Sequence, residues 1–387
     1  MLRGFIFLTF LALSLSISAA DIPDAPAVNA RAWLLIDHHS GRRLAFHNSD
    51  RRFTPTHLAK LMVAYIAFGI LESGEVSSNT DVPISFKATR AAGPRMFASA
   101  TSHVPIQNLI KAMIIGRAND ATVALAEYIG SDEQAFVSIM NRAAENLGLN
   151  NTRYRDTTGK QRTRQYTDAN DLATLVKAIV DKYPQYYRWF SEREFKYNGI
   201  TLYSRNALLW RNKNIDGLIA VRSPRDGYHL IVSGKRDNMR LSAIVLGAPN
   251  ERAMLTAGSE LLKYGFTHYE TRKLYTGNEG AVNLRVWLGD LDVLPVGLTS
   301  DLYVTLHRGD FEKLQAKLKL TGTPFAPITR GQSMGSLKLI LDDEIISEHE
   351  LVSLDKVGAG GYFSRMMDRA EMWLRDIPVS TPPIQTK

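Results

Sequence analysis

Near Arg272 the spacing of apolar residues in this chain changes from helical to alternating. Before that point, Leu58, Leu61, Met62, Tyr65, Ile66 and Ile70 recur at three- and four-residue steps, which predicts a helix over 56–71. Thr54 is placed to cap it, Pro55 suits its first turn, and Gly69 and Gly74 mark its end. Further helices are predicted over 106–115, 120–129, 133–147, 168–181 and 251–264, the last ending at Gly265. Short strands are predicted at 32–37 and 43–46, and again at 227–233 and 239–246. Strands at both ends with helices between them predict an α/β domain whose termini share one sheet. Beyond Arg272, the segments 282–287, 301–306, 314–320 and 337–341 alternate apolar and polar residues between turns, the pattern of a small all-β sandwich.

No repeat or low-complexity tract interrupts this order, and 387 residues suffice for a large domain and a smaller one. Residues 1–20 carry one early Arg3, an apolar run and the small residues Ser18-Ala19-Ala20, which reads as an export signal cleaved after Ala20. Cysteine is absent, so thiol chemistry and Cys-ligated metal are excluded and the exported chain rests on its core alone. The histidines show no metal spacing, His38-His39 falls in a turn, and no cofactor is expected. The net charge of +8 suits acidic envelope surfaces. Basic residues are not interleaved with aromatics, so no nucleic acid is expected as a partner.

Tyr362, Phe363, Met366, Met367, Ala370, Trp373, Leu374 and Ile377 share one helical face, while Arg365, Asp368, Arg369 and Arg375 lie mostly elsewhere. Such a helix either inserts shallowly into a membrane interface or packs on the protein's own body.

The stretch Thr54-Pro55-Thr56-His57-Leu58-Ala59-Lys60 sets a histidine three residues before a lysine on one helix face. Ser-x-x-Lys at a helix start is the nucleophile-and-base device of penicillin-binding proteins and serine β-lactamases. Here the spacing and the lysine are present without the hydroxyl. Asn48-Ser-Asp-Arg-Arg52, Asn119-Asp-Ala-Thr-Val-Ala-Leu-Ala-Glu127, Asn206-Ala-Leu-Leu-Trp210 and Asp216-Gly217-Leu218 extend the likeness. Over essentially the whole mature length the chain resembles the low-molecular-mass penicillin-binding proteins, the exported serine D-alanyl-D-alanine carboxypeptidases.

The resemblance implies three catalytic motifs, each altered here. The nucleophile position holds His57 and the general-base position retains Lys60. The Ser-x-Asn motif reads Arg117-Ala118-Asn119, so the proton-relay serine is replaced while Asn119 stays. The Lys-Thr-Gly motif reads Ile219-Ala220-Val221, followed by Arg222, and the substrate-binding Arg205 is retained. A loop histidine of the family corresponds to Thr158, and a carboxylate-binding arginine falls at Met254, beside Arg252.

Acyl transfer needs a nucleophile that forms a persisting ester. In another serine hydrolase, removing the nucleophile costs on the order of a million-fold in turnover. The expected function is therefore that of a catalytically impaired homologue, a pseudoenzyme that binds peptidoglycan stem peptides, another cell-wall polymer or an active relative. The alternatives are a functioning carboxypeptidase trimming terminal D-alanine, an acyl-imidazole on His57, and nucleophilic rescue by Ser99 or Ser223. His57, Lys60, Arg117 and Arg222 are also candidates for one repurposed anion cleft. The expected architecture is a signal over 1–20 and an α/β penicillin-binding, β-lactamase-like domain over 21–272. A β-sandwich over 273–355 and an amphipathic membrane-anchoring helix with a flexible tail over 356–387 complete it. Localisation is expected to be periplasmic, peripheral to the inner membrane.

Overall fold

The computed structural model describes residues 24–159 and 165–374. The expected export signal and the tail beyond Leu374 lie outside the described residues.

In chain order the elements open with β1 (Ala32–Asp37), β2 (Arg43–His47), α1 (Ala59–Ser73), β3 (Asp81–Pro83), α2 (Phe86–Thr89) and β4 (His103–Pro105). Next come α3 (Ile106–Gly116), α4 (Asn119–Gly130), α5 (Glu133–Asn146), α6 (Ala169–Lys182) and α7 (Pro184–Tyr187). Then follow β5 (Glu194–Tyr197), β6 (Ile200–Tyr203), α8 (Leu208–Arg211), β7 (Ile215–Ser223), β8 (Gly227–Arg236), β9 (Met239–Ala248) and α9 (Glu251–His268). The remainder holds β10 (Tyr269–Tyr275), β11 (Gly280–Arg285), β12 (Val293–Gly297), β13 (Leu302–His307), β14 (Gln315–Leu320), β15 (Ser333–Leu341), β16 (Glu344–Ser353) and α10 (Tyr362–Leu374).

The first domain is built on an antiparallel sheet ordered β2-β1-β9-β8-β7, so strands from both ends of its sequence do share one sheet. Side chains alternate across the pleat. Ile219, Val221, Ile231 and Ile244 enter the core shared with α1, α3, α4 and α6. Ala220, Leu230, Val232 and Val245 enter a second core under α9. The result is a three-layer arrangement with helices on both faces of the sheet.

Several boundaries differ from the sequence reading for identifiable reasons. Gly265 does not end α9: a Cβ there would lie 2.4 Å from Leu241 Cδ1, so the glycine lets the helix lie close on β9. Gly69 is likewise inside α1, under the Tyr183 hydroxyl, whereas Gly74 ends it at φ 77°. Thr54 makes no cap. Pro55 precedes a 3₁₀ turn, Thr56–Leu58, and the α-helix begins only at Ala59. Strand β7 escaped the alternation rule because Leu218 to Val221 are buried on both faces.

The second domain pairs β10 with β13 and orders a five-stranded sheet β11-β12-β16-β15-β14 around an apolar core of its own. It joins the first domain through Asp37, which is fully buried. The Asp37 carboxylate accepts from the Ser40 hydroxyl at 2.8 Å and from the Thr271 hydroxyl at 2.9 Å.

Helix α10 docks on the sandwich by one narrow stripe. Met372 is fully buried, and Asp368 accepts from Leu288 N–H at 2.6 Å. Arg285 reaches Glu371 at 2.7 Å. Tyr362, Phe363, Met366, Met367 and Trp373 stay exposed, Trp373 at 80%. Among the described residues no helix is long and apolar enough to cross a membrane.

Candidate functional site

The turn that carries His57 is strained. Thr56 is β-branched yet sits at φ 48°, and its hydroxyl donates to Pro55 O at 2.7 Å. The Thr54 N–H donates to Asp226 Oδ2 at 3.1 Å, tying the turn to the β7–β8 connection. On its other side lies Gly159 at φ 73°, where a Cβ would stand 1.6 Å from Thr56 O. Only glycine permits that approach.

The three-residue step from His57 to Lys60 does not leave both side chains in one cavity. His57 is half-buried and lines a cavity of about 200 Å³ together with Thr56, Thr158, Arg222, Ser223 and Arg225. Lys60 is fully buried behind it. Its ammonium donates to Ala118 O at 3.3 Å and to the Thr122 hydroxyl. Such contacts are what makes a buried amine tolerable. Thr122 is itself fully buried and donates to Ala118 O at 2.6 Å, so it presents no accessible nucleophile.

Asn119 opens α4 and is fully buried. Its side-chain amide donates to Ala92 O at 2.7 Å and its backbone N–H to Pro94 O at 2.6 Å, while Oδ1 has no hydrogen-bond partner among the described residues. Arg117 caps α3 in the left-handed region at φ 59°, a non-glycine outlier directly before Ala118, whose carbonyl Lys60 bonds. Burial pushes its guanidinium down from the usual arginine range, and the charge of Arg205 adds to this while Glu251 opposes it. The Arg117 Nε is buried without an acceptor among the described residues. Neither arginine lines the His57 cavity.

In β7, Ile219 is buried against the α1 side and Ala220 against the α9 side, so the two stand on opposite faces of the sheet. Arg222, further along the strand, is exposed over the Tyr228 ring and lines the cavity. Of the single anion cleft expected, the cavity thus gathers His57 and Arg222; Lys60 is sealed and Arg117 does not line it. Ser99 is exposed and away from the cavity, while Ser223 is buried and lines it. Thr158 lines it too, its hydroxyl and N–H both donating to Asp156 Oδ1. Met254 is buried under the sheet and Arg252 lines a different hollow beside Glu251.

Sequence reasoning missed several supporting residues. Asp120 is buried and its carboxylate accepts from Met96 N–H at 3.0 Å and Phe97 N–H at 2.9 Å, fixing the loop in front of α4. Asn206 donates to Gly217 O at 2.9 Å, tying the Arg205 loop to β7. Arg225 and Asp226 are polar residues in a turn, and nothing local marks them. The signal for Asp120 was its place directly after the Arg117-Ala118-Asn119 motif. No group of three histidine or acidic residues able to hold a metal occurs among the described residues.

The position one turn before the buried Lys60 carries an imidazole, and the hydroxyl that Lys60 does meet, that of Thr122, is sealed in the core. A family described as D-alanyl-D-alanine carboxypeptidase matches residues 19–250, and one described as penicillin-binding protein 5, C-terminal domain, matches residues 269–359. The chain is 33% identical over 367 residues to D-alanyl-D-alanine carboxypeptidase DacC of Escherichia coli K12, covering 93% of this chain and 92% of that protein. It is 26% identical to D-alanyl-D-alanine carboxypeptidase DacF of Bacillus subtilis, covering 97% of this chain and 98% of that one. Among solved structures it is similar to penicillin binding protein 5 from Haemophilus influenzae, with a TM-score of 0.83 and 30% identity. That likeness covers 87% of this chain and 99% of the other.

Proposed function

The chain belongs to the D-alanyl-D-alanine carboxypeptidase family of low-molecular-mass penicillin-binding proteins, and from that membership we propose that it is an acyl-transfer-deficient member acting by binding. Its ligands are peptidoglycan stem peptides, another wall polymer, or an active relative. One observation carries the reading: the Lys60 amine is sealed against Ala118 O and Thr122, and the cavity one turn before it presents imidazole where the family places a hydroxyl. Ile219 supports it, because an apolar, core-packed side chain offers no clamp for a substrate carboxylate. In these roles His57 and Arg117 are substituted positions, Lys60, Asn119 and Arg205 are retained ones, and Ala220 and Arg222 flank the binding strand.

Family membership also favours the opposite reading, a working carboxypeptidase that trims terminal D-alanine. Incubation with a labelled penicillin followed by intact-mass measurement separates the two, alongside D-alanine release from a pentapeptide. The binding reading expects no adduct and no release, with retention on purified cell walls. A stoichiometric adduct or steady turnover sinks it.

Export to the periplasm and peripheral attachment to the inner membrane belong to the same proposal. The exposed Tyr362, Phe363, Met367 and Trp373 of α10 support the attachment.

A further inference from the structure

We propose that the cavity beside His57 is a receptor for a phosphate group, held by Arg222, Arg225 and the Ser223 hydroxyl. The inference rests on the loss of acyl transfer proposed above, because the phosphate takes the place an acylating substrate would need.

The charge balance of the cavity points to an anion. Among the described residues its lining holds two arginines and a histidine but no carboxylate. The two nearby acids are turned away. Asp226 accepts from Thr54 N–H and pairs with Arg31 at 3.3 Å. Asp156 accepts from Thr158 and, at 3.1 Å, from the Gln165 amide. Arg222 and Arg225 form no ion pair among the described residues, and Arg222 only stacks over Tyr228.

The donors favour phosphate over carboxylate. Each guanidinium presents a planar fork suited to two oxygens. A single carboxylate has two oxygens and one charge, so it leaves one arginine unbalanced. A phosphate monoester has three free oxygens and nearly two charges at neutral pH. Ser223 Oγ accepts from Asp226 N–H at 3.0 Å, which leaves its own proton for the third oxygen. About 200 Å³ admits one such group with a short substituent and not a length of polymer.

The test is titration calorimetry on the full chain at low ionic strength with inorganic phosphate, phenyl phosphate and acetate. Arg222 and Arg225 are exposed, so the double variant Arg222→Gln/Arg225→Gln does not threaten the core. The expected result is phosphate and phenyl phosphate binding about tenfold tighter than acetate, falling at least about tenfold in the double variant. The control Arg211→Gln, outside the cavity, leaves it unchanged. A second arm measures retention on phosphatidic acid vesicles, whose headgroup is a phosphate monoester, in a Trp373→Ala background. Retention that depends on Arg222 and Arg225 assigns the phosphate of a lipid headgroup; tight phenyl phosphate binding without retention assigns a soluble monoester. Equal binding of acetate and phosphate, or phosphate binding unaltered in the double variant, overturns the inference. Penicillin acylation of the same preparation is scored separately. An adduct defeats the loss of acyl transfer, whereas absent phosphate binding by a protein that also resists acylation defeats the phosphate site alone.

Discussion

Lys60 stands at the position the resemblance assigns to the general base and is packed as a core residue. Fully buried and bonded to Ala118 O and Thr122, it fills volume as well as carrying charge. Lys60→Met, which keeps most of that volume, is expected to alter stability by under about 1.5 kcal/mol. Lys60→Ala is expected to cost about 2–5 kcal/mol, as a large-to-small core change; chemical denaturation of both variants is the check. On the proposed loss of acyl transfer, the missing chemistry is distributed over three positions, so restoring one group is expected to fall short. General acid–base assistance is typically worth about 10²–10⁴-fold. His57→Ser alone is therefore expected to acylate slower by that factor than the triple variant His57→Ser/Arg117→Ser/Ile219→Lys, read by intact mass after penicillin exposure.

A second residue reports on pH. His229 is fully buried, accepts from Gly247 N–H at 3.0 Å, and burial pushes its pKa down to about 4. Between about 6.5 and 4 the unfolded chain binds a proton there that the folded chain does not, so stability falls as pH drops through that window. The loss approaches about 3 kcal/mol at the acid end of the window, because excluding one proton costs about 1.4 kcal/mol for each pH unit crossed. Unfolding free energies measured from pH 7 to pH 4 should lose that increment in His229→Gln.

At the scale of elements, α10 divides its labour between two faces. The docked stripe of Asp368 and Met372 holds it to the sandwich, and the exposed aromatic face is the one proposed to meet a lipid surface. Phe363→Ala/Trp373→Ala is expected to abolish flotation with anionic vesicles while moving the melting temperature by less than about two degrees, since surface changes are worth within about 0.5 kcal/mol. Met372→Ala acts oppositely: it removes a fully buried side chain and should free the helix for protease cleavage. The Thr56–Leu58 turn and the loop that carries Gly159 form the other critical pair. Gly159→Ala forces a Cβ onto Thr56 O at a positive φ, so a loss of more than about 2 kcal/mol is expected together with loss of the cavity's ligand binding.

Across the whole molecule, the two domains meet in a buried polar junction. Asp37 lies at the end of β1, and its carboxylate is shared between Ser40 of the first domain and Thr271 of the second. Ser40 also reaches the Thr305 hydroxyl at 2.6 Å. Asp37→Ala leaves those hydroxyls short of an acceptor, at about 1–3 kcal/mol. Scanning calorimetry should then show the sandwich melting apart from the α/β domain, where the parent chain melts more nearly as one unit.

The fold class, many of the elements and the family were readable along the chain, because each rests on local periodicity or on a contiguous motif, whereas β7, buried on both faces, was not. The helices at 106–115 and 133–147, the strand at 32–37 and the alternating segments of the sandwich were legible in this way. The reading of His57, Arg117 and Ile219 as substituted motif positions rests on register alone. Which of those residues meet is settled by folding. The i, i+3 spacing of His57 and Lys60 predicted a shared pocket, yet the 3₁₀ turn at Thr56–Leu58 leaves His57 at the cavity and sends Lys60 into the core. Gly265 read as a helix end, and the close approach of β9 made it a contact instead. Arg225, Asp226 and Gly159 were silent in the sequence because their partners lie far along the chain, and charge balance in a cavity is a property of the folded surface rather than of any segment.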